Sequence, residues 1–330
     1  MEIVDISPHG RKHKSSESSS TGPVERDGNG RPKVIVPCDH CETTGKVPSQ
    51  KVEGRLNQCP KCKGAGRKLK AYSRMTTFID CLEDKSNLTQ WKQRNVVLGL
   101  SRSPSLLEAF SALQEPHSTD RSQANALVQR AEEAAGSDLK ALTGTALHDI
   151  IERINLGQDP GFIPPEHEAD IAAYKEAVAL AKIVVVAAET FVVNDTFGAA
   201  GTFDILGLHW DEARQRWVLK IMDIKTGRID YGLSKIGMQL GGYANSQAYD
   251  AETGDRSPIQ WTMEDGTVLD VDLDEALIIH LPAGQGACTV VPVDIRGCYD
   301  GLVLAQQVRK WRSRKFQQEP LVSVDMSSAA

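Results

Sequence analysis

Two short stretches carry residue types whose spacing suits chemistry on a charged substrate. They are Gly201-Thr202-Phe203-Asp204-Ile205-Leu206 and Trp217-Val218-Leu219-Lys220-Ile221-Met222-Asp223-Ile224-Lys225-Thr226-Gly227. Each reads as an apolar strand that brings a carboxylate to its end. The polar run Asp211-Glu212-Ala213-Arg214-Gln215-Arg216 between them predicts a turn. The two strands then form an antiparallel hairpin with Asp204 and Asp223 close in space. Asp223 and Lys225 are one residue apart and share a face of their strand. Carboxylates are hard oxygen ligands for Mg²⁺ or Mn²⁺. A lysine beside them can orient or deprotonate a water, or balance charge developing on a phosphate.

A second set is sulfur-based. Cys38-Asp39-His40-Cys41 and Cys59-Pro60-Lys61-Cys62 give C-x2-C-x17-C-x2-C. Two such knuckles predict one tetrahedral thiolate site for structural Zn²⁺. Four cysteines fill it without His40. The continuation Lys63-Gly64-Ala65-Gly66 resembles the zinc repeats of DnaJ-type chaperones. Only two knuckles are present and no J-domain pattern precedes them, so a co-chaperone is not expected. A third candidate is Thr143-Gly144-Thr145-Ala146-Leu147-His148-Asp149-Ile150-Ile151-Glu152. It reads as a helix with Gly144, His148 and Glu152 on one face. A glycine there permits close approach, and His148 can offer a ring nitrogen to a metal.

The elements that must position these residues follow from pattern and composition. Residues 1–33 read as a disordered tail, 34–70 as the zinc ribbon, and 71–142 as a helical segment. Residues 143–318 read as the main α/β core, and 319–330 as a second tail. Within the core, Pro164-Pro165 opens a helix running to about Lys182. Residues 182–194 form a strand carrying Glu189, and the hairpin follows. Gly232 to Tyr249 is expected as a helix with Gln239 and Tyr243 on one face. A hairpin turns at Asp265-Gly266, and two strands and a last helix from Gly297 complete the core. Leu304, Val308 and Trp311 are expected to face inward from that helix. Asp270, Asp272 and Asp274 alternate like a calcium loop but lack its glycine and late glutamate.

The formal net charge of the 330-residue chain is −6. Ten Lys/Arg against three Asp/Glu from Arg31 to Lys70 give that stretch +7, leaving about −13 for the rest. Nucleic-acid binding, if present, must then rest on local basic patches. Lys61, Lys63, Arg67, Lys68 and Lys70 form one such patch, and Tyr72-Ser73-Arg74 beside it offers further phosphate contacts. Arg309, Lys310, Arg312, Arg314 and Lys315 form either the solvated back of the last helix or a second phosphate grip. No run reaches the roughly 18 apolar residues of a membrane helix, and no apolar signal core opens the chain. A cytoplasmic protein with no membrane partner is expected.

In order, the chain reads as a helix with G-x3-H-x3-E, a strand, a strand with G-T-F-D, a strand with D-I-K-T-G, and a helix with Q-x3-Y. This series, over about residues 143–318, resembles the RecB-like branch of the PD-(D/E)XK nucleases, which includes CRISPR-associated and phage exonucleases. The resemblance implies a restriction-endonuclease-like core, a central mixed sheet flanked by helices. It implies that His148, Asp204, Asp223 and the Ile224 carbonyl bind a catalytic Mg²⁺ or Mn²⁺. Lys225 would position or activate the attacking water, and Gln239 and Tyr243 would contact DNA or brace Lys225. Glu152 and Glu189 would stand behind the ligands. Some relatives carry a four-cysteine iron–sulfur cluster, but the C-terminal half offers only Cys288 and Cys298, so none is expected. The implied activity is exonucleolytic hydrolysis of linear DNA in phage recombination, replication or repair, with a single-strand annealing or recombination protein as partner. An endonuclease or flap nuclease on the same fold, or a non-catalytic zinc-dependent DNA-binding protein, are the alternatives.

Overall fold

The computed structural model describes residues 24–230, 232–316 and 322, leaving aside the side chains of 138–142. Most of both expected tails lies outside these residues. Residues 24–33 do not fit a disordered tail: Arg26 bridges Pro32, and Asp27 closes the turn between them by accepting from the Asn29 and Arg31 amides.

The N-terminal module holds β1 (Lys33–Pro37), β2 (Lys46–Pro48), β3 (Leu56–Gln58) and β4 (Arg67–Ala71). β1 pairs with β4, and β2 with β3, all antiparallel. The chain then gives β5 (Ser73–Arg74), α1 (Met75–Ile79), α2 (Ser86–Arg102), α3 (Pro104–Ser111), α4 (Arg121–Ala134), α5 (Ser137–Asn155) and α6 (Pro165–Leu180). After these come β6 (Ile183–Asn194), β7 (Ala199–Asp211), β8 (Arg216–Lys225), α7 (Leu233–Ala244), β9 (Gln247–Tyr249) and β10 (Arg256–Ser257). The chain ends with β11 (Gln260–Thr262), β12 (Val268–Asp270), β13 (Glu275–His280), β14 (Thr289–Asp294) and α8 (Cys298–Arg312).

Three expectations change. The segment 71–142 is not wholly helical, because β5 and α1 belong to the main body; only α2–α4 form a separate helical unit. The helix expected from Thr143 begins at Ser137, so the boundary at 142/143 falls inside α5. The helix expected over 232–249 stops at Ala244, and the last three residues form strand β9.

The central sheet is mixed and eight-stranded, in the order β10-β9-β6-β7-β8-β13-β14, with β5 added beside β7. β13 runs parallel to β8 and β5 parallel to β7; the other pairs are antiparallel. Helices cover both faces. α1, α7 and α8 bury Phe78, Leu240 and Leu302 on one side, while α5 and α6 bury Leu147, Ile151 and Tyr174 on the other. A sheet covered twice has little use for polar alternation, so β8 is buried almost throughout.

The pairing of β7 with β8 stops at Ile205↔Met222. Beyond it β8 continues along β13, with Asp223 opposite Ile278 and Lys225 opposite His280. The stretch of β7 that β8 leaves is taken by β5, with Ser73 opposite Ala199 and Arg74 opposite Ala200. The sheet therefore forks just past Ile205 and Met222, and Asp204 and Asp223 lie in the fork.

Candidate active site and four-cysteine centre

Four elements converge at the fork. β7 supplies Asp204, β8 supplies Asp223 and Lys225, α5 supplies His148, and α7 supplies Gln239. The Ile224 amide donates to Asp204 Oδ2 at 2.7 Å, which holds one carboxylate against the strand that carries the other. His148 Nδ1 stands 3.8 Å from the same oxygen. Lys225 forms an ion pair with Asp223 Oδ2. That oxygen is buried and takes part in no well-formed hydrogen bond, so the ion pair is its contact. Gln239 Nε2 lies 3.4 Å from Asp223 Oδ1 and 3.4 Å from the Tyr243 hydroxyl.

α5 comes close because Gly144 is small. A Cβ there would meet Thr226 Oγ1 at 2.7 Å, just after Lys225. The next turn of α5 carries His148 and the one after it Glu152. His280, opposite Lys225, holds the loop beyond it through Nε2 and the Gly227 carbonyl at 2.9 Å. His280 carries no motif signal in the sequence, and the contact of Thr226, within D-I-K-T-G, with α5 becomes visible only through packing.

The electrostatics are those of crowded acids, of which Asp223 is buried, Asp204 half-buried and Glu189 exposed at its edge. Burial, then the nearby Asp204 charge, push Asp223 up to about 6, against the pull of Lys225. Burial raises Asp204 as well, opposed by the Ile224 amide and Lys225. Glu189 is pushed up to about 7 by burial and then by Asp204, Glu152 and Asp149. It falls opposite Asp204, between the pairs Ala188↔Ile205 and Thr190↔Phe203, and has a φ of +50°. Such a backbone is uncommon for a non-glycine residue and is found where the surroundings hold it. For His148, burial lowers the pKa, while Asp223 and the Ile224 carbonyl favour its proton and Lys225 opposes it. Neutral imidazole is the form that binds metals.

Three expected roles need correction. Tyr243 is buried against Gly201, so it cannot reach a polymer outside; it packs, and orients Gln239. Gln239 itself bonds Asp223 rather than Lys225. Tyr72 is also buried, its hydroxyl donating to Asp195 at 2.6 Å, which removes it from the candidate phosphate contacts. Arg74 is exposed. In the basic patch, Lys61 and Lys63 are exposed, but Lys68 pairs with Asp39, Arg67 Nη1 donates to the Thr253 carbonyl at 2.8 Å, and Lys70 lies over the Tyr72 ring.

The four cysteines of the N-terminal module are buried together. Sγ of Cys38 and Cys59 are 3.9 Å apart, and those of Cys41 and Cys62 are 3.6 Å apart. A tetrahedral ion with sulfur at about 2.3 Å needs edges of about 3.8 Å, so these thiols could hold a zinc ion. Burial and the neighbouring thiols push Cys41 up to about 12, the opposite of what an exposed reactive thiol shows. The Gly66 amide points at Cys62 Sγ from 3.3 Å. Gly45 and Gly66 are required here: both have positive φ, and a Cβ on either would lie 2.2 Å from a carbonyl of the opposite knuckle. His40 is exposed. Among the described residues, these thiols are the one group of three or more candidate ligands within 4.8 Å of one another; the acid–imidazole set at the fork is more open.

The buried pair His167–Asp170 is a structural latch. Asp170 accepts from His167 Nδ1 at 3.1 Å and from the amides of Gly284 and Gly286, each at 2.8 Å. Asp272, of the calcium-like run, pairs with buried Lys220 at 2.8 Å. Among the described residues, no helix is long and apolar enough to cross a membrane. No protein-family model matches the chain, and no curated protein is significantly similar to it.

Proposed function

We propose that the protein is a divalent-metal-dependent deoxyribonuclease of the RecB-like PD-(D/E)XK type, acting as an exonuclease on linear DNA. The observation that carries this reading is the convergence of Asp204, Asp223, Lys225 and His148 at the fork of one sheet. The donor set suits a hard cation. A buried and a half-buried carboxylate repel each other, and the one lysine paired with Asp223 is too little charge to satisfy both. Asp204, Asp223, His148 and the Ile224 carbonyl would hold Mg²⁺ or Mn²⁺. When bound, the ion offsets phosphate charge and lowers the pKa of a ligated water.

The chain's own residues do the rest. Lys225, free to swing from Asp223 once that charge is shared, places its ammonium where it can orient the attacking water. The Ile224 amide and Gln239 keep both carboxylates aimed at one point, so the site needs little reorganisation. The four-cysteine module would carry structural zinc and hold DNA through its exposed lysines.

Purified protein should degrade linear DNA with Mg²⁺ or Mn²⁺ and leave a covalently closed circle intact. Asp223→Ala and Lys225→Ala should each lower the rate about a hundredfold or more with the fold retained by circular dichroism. Equal rates in parent and both variants would reject the site. Cutting of the closed circle would assign an endonuclease instead.

A further inference from the structure

A basic cluster at the end of α8 is tied to the segment that carries Arg74, far from it in sequence. Five of the eight residues from 309 to 316 are Lys or Arg, and none is acidic. Arg309 reaches back to the start of the main sheet: Nη2 donates to Ser73 Oγ at 2.8 Å and Nη1 to the Thr77 carbonyl at 3.2 Å. Arg74, the next residue, is exposed and pairs opposite Ala200 on β7. Asp204 lies four residues further along that strand, about 13 Å away at an ordinary strand rise.

Beside the guanidinium groups stand two aromatic rings. Trp311 is 58% exposed and Phe316 67% exposed. Their rings meet edge to face with centroids 6.2 Å apart, and the Arg314 guanidinium lies 4.6 Å from the centre of the Trp311 ring. No salt bridge among the described residues takes up the charge of Arg74, Arg309, Arg312 or Arg314.

A solvated helix end explains part of this, since cations in the last turn favour the helix dipole. It explains neither Arg314, beyond that turn, nor Arg74, from another element, nor two large rings held in water. Flat exposed rings interleaved with unpaired guanidinium groups fit a polyanion that also presents flat faces. Unpaired bases present such faces; in a duplex they are stacked away.

We infer that the C-terminal end of α8, with Arg74, is a binding track for single-stranded DNA, with Trp311 and Phe316 as its stacking platform. The strand leads along β5 toward Asp204. The inference rests on the nuclease reading for its purpose, but its test does not.

The test uses the full chain carrying Asp223→Ala, so that no strand is cut, and fluorescence anisotropy with a labelled 20-nucleotide oligothymidylate and a blunt 20-base-pair duplex. Trp311→Ala with Phe316→Ala should weaken single-strand binding about tenfold or more and change duplex binding less than about twofold. Arg314→Ala should lower the salt slope of single-strand binding by about 0.7. Trp311→Phe, which keeps a ring, should recover most of the affinity. Circular dichroism should be unchanged, since both rings are exposed.

Single-strand affinity within about twofold of the parent in the double ring variant overturns the track, as does a parent that binds neither oligonucleotide at low salt. Ring-dependent binding in a chain whose Asp223 form cuts nothing would keep the track and reject the nuclease. Cutting with ring-independent binding would do the reverse.

Discussion

At the scale of single residues, the fork depends on Gly144 as much as on the acids. In a helix interior alanine is favoured over glycine by about 1 kcal/mol, yet here a methyl group would strike Thr226 Oγ1. Gly144→Ala should therefore cost about ten- to a hundredfold in cleavage by displacing His148 and the end of β8. Adding Thr226→Ala should restore part of the rate and leave the melting temperature at or above the parent's. A rate unchanged by Gly144→Ala would show that α5 has slack. The acids, the lysine, the histidine and this glycine are all legible in sequence because chemistry restricts the residue types that can serve. The positive φ of Glu189 was not legible. Nothing in Val-Ala-Ala-Glu-Thr-Phe announces a left-handed residue; it arises where β6, already bulged between Val185 and Ala187, twists past the fork.

Among the elements, α8 shows where pattern reading misleads. Leu304, Val308 and Trp311 share a helical stripe, but Leu304 and Trp311 are exposed and Val308 is half-buried, while Leu302 and Ala305 are buried. The reason is close packing: α8 abuts α7 so tightly that a Cβ on Gly241 would lie 2.4 Å from Cys298 Cβ. The tight seam fixes the roll of the helix, so that Leu302 and Ala305 enter the core and the stripe of Leu304 and Trp311 faces out. The contact between α6 and the loop after β13 can be tested by pH. Burial alone would raise the Asp170 pKa, but the Gly284 and Gly286 amides and His167 outweigh it and hold the carboxyl below its ordinary value. Its stabilisation is thus present above the ordinary carboxylate pKa and is lost as pH falls through the lower folded value. Asp170→Asn should cost about 2–4 kcal/mol near neutrality, and urea titrations of parent and variant should converge toward pH 3. A gap that stays constant would remove the carboxylate from the account. For the four-cysteine module, Cys59→Ser should reduce bound zinc from about one per chain to near zero by elemental analysis. Iron in the parent would overturn that assignment.

Across the whole molecule, the β-hairpin, the later hairpin at Asp265-Gly266 and the flanking helices follow from periodicity and turn residues. Strand order does not. β5 is two residues long and has no signal of its own; it exists because β7 outruns β8 and exposes backbone that must be paired. β13 joins β8 in parallel only after a long excursion through α7 and four short strands, a pairing that local pattern cannot reveal.

That two-residue strand has a practical consequence for anyone trimming the protein. A version starting at Met75, with the four-cysteine module and the N-terminal tail discarded to ease production, would bare the amides and carbonyls of β7 from Ala199 to Ala200 beside an apolar rim. Uncovered strand margins recruit strangers. The shortened chain should elute from size-exclusion columns as concentration-dependent multimers, whereas the parent's elution volume should not move with dilution.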